Sequence, residues 1–386
     1  MASWEQALDP VLQQGLDRVY TAAVVQVRHR GRAVYHRAVG WPDPEAAGEQ
    51  VTTRHTLFDL ASITKPFVAT AFLHLVARTP ELGLNTPVAA VLPEFQGLRP
   101  VRAYPHPLQP GYTVQPSRHD GLIDAAQVTF QHVLTHSAGL PAWTRLYTLE
   151  PEALRATVLG TPFAYPPGQR VIYSDVGFMI LGWAVEALAG RPLDQAVHAL
   201  VLEPLGLRAT GYRPAHRREP LPPGAVAATE ACPWRGRRVR GEVHDENAWR
   251  LGGVAGHAGL FSTAAEVAAF GQAWLDATRG HGPLAELLGP DLARQAVQLQ
   301  AAEGPVRRGL GWALWSPAPR SASHPLGPRT FGHTGFTGTS LFVDPDCDLV
   351  IAALTNRVYF GRDSTPISDW RLALHQEAKA LCSSLG

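Results

Sequence analysis

The sequence predicts an α+β protein of the α/β sandwich type. A mostly antiparallel β-sheet is built from both chain termini and flanked by helices, with an all-helical domain inserted between. Three observations predict it. Near the N-terminus, Ala22 to Arg28 and Arg32 to Val39 alternate apolar and polar residues around His29-Arg30-Gly31, the pattern of a β-hairpin. Near the C-terminus, Thr339 to Val343 and Leu349 to Leu354 are two further strand-like runs, joined by the turn-rich Asp344-Pro345-Asp346-Cys347-Asp348. Between these ends the apolar spacing is helical, so a helical region interrupts a sheet made from both termini.

Taken in chain order, residues 3–18 read as a helix ahead of the hairpin. Helical spacing returns at Lys65 to Arg78, Phe130 to Leu134, Pro151 to Leu159, Asp175 to Ala189 and Leu193 to Val201, and the chain closes on Ile367 to Leu381. The expected division is a sheet domain from 1–60 and 262–386, with a mainly helical inserted domain from 61–261. Two stretches, 93–127 and 213–245, are rich in proline, arginine and glycine and carry little periodicity. Loops of that length in a compact domain are usually functional, so both are expected beside a cleft.

At 386 residues and 45% hydrophobic content the chain can bury a large core, and disorder is excluded. A net charge of +1 gives no broad footprint for nucleic acid or an anionic membrane, and Arg235, Arg237, Arg238 and Arg240 read as a local solvated cluster. Cys232, Cys347 and Cys382 are too few and too scattered for a disulfide framework or a zinc knuckle, and are expected to be buried or idle thiols. Met1 to Gly15 lacks the basic start and apolar segment of a signal peptide, and no run of about 18 apolar residues occurs. The expectation is a cytoplasmic protein whose partner is a small-molecule ester, amide or peptide substrate, with no nucleic acid and no membrane.

Chemistry enters through lysine. Of 34 basic residues only Lys65 and Lys379 are lysines. Arginine, with a pKa above about 12, cannot accept a proton near neutral pH, whereas lysine can once its surroundings lower its pKa. Lys65 lies three residues after Ser62 in Ser62-Ile63-Thr64-Lys65, one helical turn along the same face. Pro66 is tolerated only near a helix start, which places Ser62 at the N-terminus. The positive end of the dipole is expected to push Lys65 toward the neutral amine and to favour an oxyanion at Ser62.

Two further segments complete a signature. Tyr173-Ser174-Asp175 precedes a helix, and His333-Thr334-Gly335 enters a C-terminal strand. With Ser62-Ile63-Thr64-Lys65 they resemble the triple motif of the serine β-lactamase and penicillin-binding protein superfamily, in the order and spacing of its class C-like branch. Leu134-Thr135-His136-Ser137-Ala138-Gly139-Leu140 and Gly256-His257-Ala258-Gly259-Leu260-Phe261-Ser262 are similar to other segments of that superfamily, and the likeness covers nearly the whole chain. The resemblance implies a β-lactamase/transpeptidase-like fold and an acyl-enzyme on Ser62. Lys65 and Tyr173 would share the proton transfers, and the backbone amides of Ser62 and Phe336 would hold the oxyanion. Asp175, His333, Thr334 and Gly335 would line the substrate site, with no metal or other cofactor.

Two departures from the family pattern bear on the substrate. Asp175 stands where class C members usually carry asparagine. It is a good helix N-cap, and a carboxylate beside Lys65 would stabilise the ammonium. His333 stands where many members carry lysine, so the fixed positive charge that meets a substrate carboxylate becomes conditional. The expected activity is therefore carboxylesterase-like. The alternatives are a D-Ala-D-Ala carboxypeptidase or penicillin-binding protein, a weak class C-like β-lactamase, and a catalytically idle scaffold or sensor. A metal site at His244, Asp245, Glu246 and His257 is the remaining rival, but these residues lack the His-x-x-x-His spacing, and Gly252, Gly253 and Gly256 argue for a loop there.

Overall fold

Strand Ala22–His29 is buried along almost its whole length because it lies inside a sheet covered on both faces. In this computed structural model, which describes residues 3–385 except 49, 107–108, 110, 117–120 and 214–220, eight strands form that sheet. Their order is Ala301–Glu303, Val306–Arg308, Ala313–Leu314, Phe331–Thr334, Ser340–Asp344, Leu349–Thr355, Ala22–His29 and Arg32–Gly40. Every pairing is antiparallel, and the two termini meet where Val25 faces Ala353.

Successive strand residues point to opposite faces, and each face has its own core. Val25, Val27, Ile351 and Ala353 pack under the helices Trp4–Gly15 and Thr365–Leu385. Ala22, Val24, Leu341 and Val350 pack instead against helix Ala264–Thr278. The first helix begins where expected because Ser3 and Gln6 form a reciprocal capping box.

Helix Thr64–Arg78 is buried on every side from Thr64 to His74. A helix apolar all round belongs at the centre of a molecule, and Phe67 stacks on Phe270 at 3.8 Å between ring centres. Lys65 is carried inside with it, fully buried. Helices Phe130–Leu134, Pro151–Leu159 and Asp175–Ala189 form as the spacing predicts. The segment from Leu193 differs, ending as a helix at Val197 and continuing as a π-helical turn over His198–Leu202.

The long stretches contain short ribbons that periodicity did not reveal, because pairs of two or three residues are too short to show a period. Leu98–Pro100 pairs with Leu122–Asp124, Tyr104–Pro105 with Thr113–Val114, and Ala231–Cys232 with Arg237–Arg238. Residues 107–108, 110 and 117–120 of the first stretch and 214–220 of the second lie outside the described residues. The arginine cluster is not the solvated loop expected from sequence. Arg235 donates to the Val243 and His244 carbonyls, Arg237 pairs with Glu242, and Arg238 pairs with Glu45 and lies 3.6 Å from the Tyr359 ring centre.

Candidate active site

Ser62 sits in a one-turn helix, Ala61–Ile63, that runs directly into Thr64–Arg78. Ala61 before it has φ +46°, a left-handed conformation costly for any residue with a Cβ. Asp59 holds that turn, accepting Ala61 N at 2.8 Å on one carboxylate oxygen and His244 N at 2.6 Å on the other. Nothing in the sequence marks Asp59, whose role exists only in this folded turn.

Lys65 Nζ donates to Ser62 Oγ at 2.8 Å and to the His257 carbonyl at 3.2 Å, and lies 2.7 Å from Asp175 Oδ1. The close approach of His257 depends on Gly256. A Cβ there would sit 1.9 Å from the Phe178 carbonyl of the neighbouring helix. Tyr173 completes the cluster, with its ring centre 4.7 Å from Lys65 Nζ.

The expected neutral amine is corrected by this geometry. Burial is the largest influence on Lys65 and favours the neutral form, but Asp175 and then Tyr173 outweigh it and raise its pKa above the ordinary lysine value. Asp175 is free to do this because it does not cap its helix. Ser174 is the N-cap, accepting Gly177 N at 3.1 Å, which leaves the Asp175 carboxylate on the first turn facing Lys65. Burial raises the pKa of Tyr173 against the opposing pull of Lys65, so its phenol keeps the proton.

Tyr173 is positioned from behind by His136, whose Nδ1 accepts the adjacent Ser174 N at 3.0 Å. The His136 ring centre lies 4.6 Å from that of Tyr173, and burial holds its imidazole well below the usual range. The Leu134-to-Leu140 segment thus serves the tyrosine motif directly.

His333, Thr334 and Gly335 form the end of strand Phe331–Thr334 and the turn beyond. Thr337 and Thr339 tie that turn to the carbonyls of Asp59 and Leu60, just ahead of Ser62. Gly335 is required there, since a Cβ would stand 2.4 Å from the Leu60 carbonyl. His333 Nδ1 donates to the Thr334 carbonyl at 2.9 Å, and burial, then Lys65 and Arg308, lower its pKa to about 3. Its charge is therefore absent at neutral pH rather than conditional.

The missing cation is supplied from elsewhere. Arg308, on the strand Val306–Arg308, lies 5.4 Å from the Tyr173 ring centre and acts electrostatically on His333. With Arg357 and Arg371 it lines a cavity of about 480 Å³ that also reaches Ser62, Tyr173 and Thr334. A second cavity of about 360 Å³ opens on the other side of Ser62. His106 and Tyr112 from one long stretch, His244 from the other, and Trp143 and Tyr147 form much of its wall. Phe336 borders both cavities, its ring between His244 at 5.6 Å and Arg357 at 4.6 Å.

The histidines and acids of the rival metal reading are engaged in separate pairs. His257 Nε2 bonds Asp245 at 2.9 Å, His244 Nε2 is 3.3 Å from Glu230, and Glu230 and Glu246 both bind Arg362. Burial opposes ionisation of Asp245, but His257 prevails and holds its carboxyl below the usual range. This arrangement braces the loop beside the cleft, with Glu230 and Glu246 meeting at the Arg362 guanidinium next to Cys232.

The sequence matches the beta-lactamase family profile over residues 8–375. A putative D-alanyl-D-alanine carboxypeptidase of Salmonella agona (strain SL483) is 29% identical over 378 residues, covering 91% of this chain and 82% of that protein. Among solved structures, EstCE1, a hydrolase with promiscuous acyltransferase activity, superposes with a TM-score of 0.69 at 24% identity over 95% of this chain and 97% of that one. The octameric penicillin-binding protein homologue from Pyrococcus abyssi gives a TM-score of 0.70 at 21% identity over 98% of this chain and 77% of its own. Both share the β-lactamase/transpeptidase-like fold described above.

Proposed function

The chain belongs to the beta-lactamase family, a family of serine hydrolases, and within it we propose that Ser62 attacks an ester or amide carbonyl and carries the acyl group as an acyl-enzyme. The observation that carries this reading is the 2.8 Å contact from Lys65 Nζ to Ser62 Oγ, made inside the molecule with the Tyr173 ring centre 4.7 Å from the same nitrogen.

The proton path follows from the charges. As Ser62 Oγ bonds to the carbonyl carbon, its proton passes to Lys65 while Lys65 passes one to Asp175, 2.7 Å away. Such a transfer neutralises Asp175 and leaves Lys65 an ammonium, so the negative charge moves from the carboxylate to the oxyanion. Tyr173 then gives its phenolic proton to the leaving oxygen or nitrogen and recovers one from Lys65. The backbone amides of Ser62 and Phe336 are assigned to the oxyanion. Water releases the acid by the reverse sequence, and this cycle uses no metal or organic cofactor.

For the substrate, the aromatic walls at Trp143, Tyr147 and Tyr112 favour an apolar acyl group, consistent with a carboxylesterase. Arg308 specifically favours a second reading. A partly buried cation on the far side of Ser62 suits a leaving group with a carboxylate, as in a peptide ending in a D-amino acid, the substrate class named for the Salmonella relative. Rates on p-nitrophenyl butyrate and on acyl-D-Ala-D-Ala, for the wild type and Ser62→Ala, test both. Loss of the faster activity in the variant supports the nucleophile, and retention of it contradicts the assignment.

A further inference from the structure

The second of the chain's two lysines also rests on a nucleophile. On the C-terminal helix Thr365–Leu385, Lys379 Nζ donates to Cys347 Sγ at 2.8 Å and to Asp344 Oδ2 at 3.1 Å. Asp344 is fully buried, and the same oxygen accepts Gly327 N at 2.8 Å, so the ammonium is anchored. One turn further along the helix, Cys382 donates to the Cys347 carbonyl at 3.2 Å, which places its thiol beside Cys347. All three cysteines are free, as the expectation of buried or idle thiols has it, but two of them lie side by side. Residues far apart in sequence are brought together when the helix packs on the hairpin turn.

The two sulfurs differ in a useful way. Cys347 is partly exposed at the turn between strands Ser340–Asp344 and Leu349–Thr355, while Cys382 is buried. Lys379 Nζ, 2.8 Å from the accessible sulfur, is placed to steady the negative charge on it as it attacks a peroxide. Burial, and then Cys347, push the Cys382 thiol up to about 12, so it remains protonated until a partner is oxidised.

We propose that Cys347 and Cys382 are a peroxide-responsive pair, with Lys379 activating Cys347 and Cys382 resolving it as an intramolecular disulfide. In the first step the Cys347 thiolate attacks one oxygen of a hydroperoxide. The O–O bond breaks, Cys347 becomes a sulfenic acid, and the departing oxygen leaves as water or alcohol after taking a proton. In the second, the Cys382 sulfur attacks the Cys347 sulfur and displaces its hydroxyl, which leaves as water with the Cys382 proton. Two thiols are oxidised by two electrons in total, and one peroxide is reduced.

The link would tie the C-terminal helix to the hairpin turn. The same helix carries Arg371, which donates to the Thr339 carbonyl at 2.8 Å and so holds the turn that follows His333, Thr334 and Gly335. Oxidation would thus secure the element that supports one wall of the site, independently of the chemistry at Ser62.

The test is hydrogen peroxide treatment of the full chain, followed by intact mass, thiol counting and peptide mapping. The expected result is a loss of about 2 Da, reversed by dithiothreitol, with a single Cys347–Cys382 link. Lys379→Met should slow the reaction about tenfold, whereas Lys379→Arg, which keeps the charge, should react near the wild-type rate. Cys382→Ser should instead leave a sulfenic acid at Cys347 that dimedone captures. Oxygen addition without a link in the wild type, linkage through Cys232, or unchanged kinetics in Lys379→Met would overturn the proposal.

Discussion

Lys65 and Asp175 form a buried ion pair at 2.7 Å, and this contact sets the protonation of the whole site. A lone lysine at this depth would tend toward the neutral amine. With Asp175 beside it, the ammonium persists, and the acceptor for the Ser62 proton becomes the pair.

Asp175→Asn should separate these cases. Without the carboxylate, burial dominates at Lys65, and activity requires the free amine itself. The wild-type pair works with Lys65 held as the ammonium, whereas the variant must first free the amine, so the acid limb of kcat/KM should move to higher pH in the variant, by about one unit or more. An unmoved limb would argue against the relay.

Arg308→Met should distinguish the two substrate readings. For peptides ending in a free carboxylate, KM should rise by about tenfold or more, while neutral p-nitrophenyl esters should change little. Equal losses on both would mean that Arg308 supports Tyr173 structurally and does not meet a substrate charge.

His136→Ala leaves the buried Ser174 amide without its acceptor. The expected cost is about 1–3 kcal/mol in unfolding stability. Because Tyr173 is adjacent, kcat should also fall while KM is largely kept. A stable variant with normal kcat would remove His136 from the positioning role.

The motif residues were legible because their chemistry follows local spacing. Ser62 and Lys65 are one turn apart, and Tyr173 directly precedes a helix that any reading of periodicity finds. Asp175 was visible, but its direction was not. Ser174 and Asp175 are both good caps, and only the fold shows that serine takes the cap and leaves the acid for Lys65. Arg308 was missed because it sits on a three-residue strand, far from His333 in sequence and beside it only across the sheet edge. The same holds for Cys347 and Cys382, whose meeting depends on helix-to-sheet packing. The hairpins at one edge and at the centre of the sheet were readable from their patterns, whereas the short strands at the other edge, from Ala301 to Leu314, carry no period of their own.

Acid stability offers a check on the loop behind the cleft. Burial works against the charge of Glu230, but His244 and Arg362 lower its pKa to about 2 from 4.5. A depressed carboxylate stabilises the fold above its unfolded pKa, and that contribution is lost as pH falls from about 4.5 through about 2. Glu230→Gln should therefore show a shallower loss of stability across this window in denaturant titrations. An identical pH dependence would mean that other acids govern it.

The most direct measurement is active-site labelling by a fluorophosphonate, read by peptide mass spectrometry beside ester hydrolysis. A single adduct on Ser62, with labelling lost in Ser62→Ala and sharply slowed in Lys65→Met, is the predicted result. Labelling at another residue, or hydrolysis that survives in a folded Ser62→Ala protein, would contradict the acyl-enzyme account.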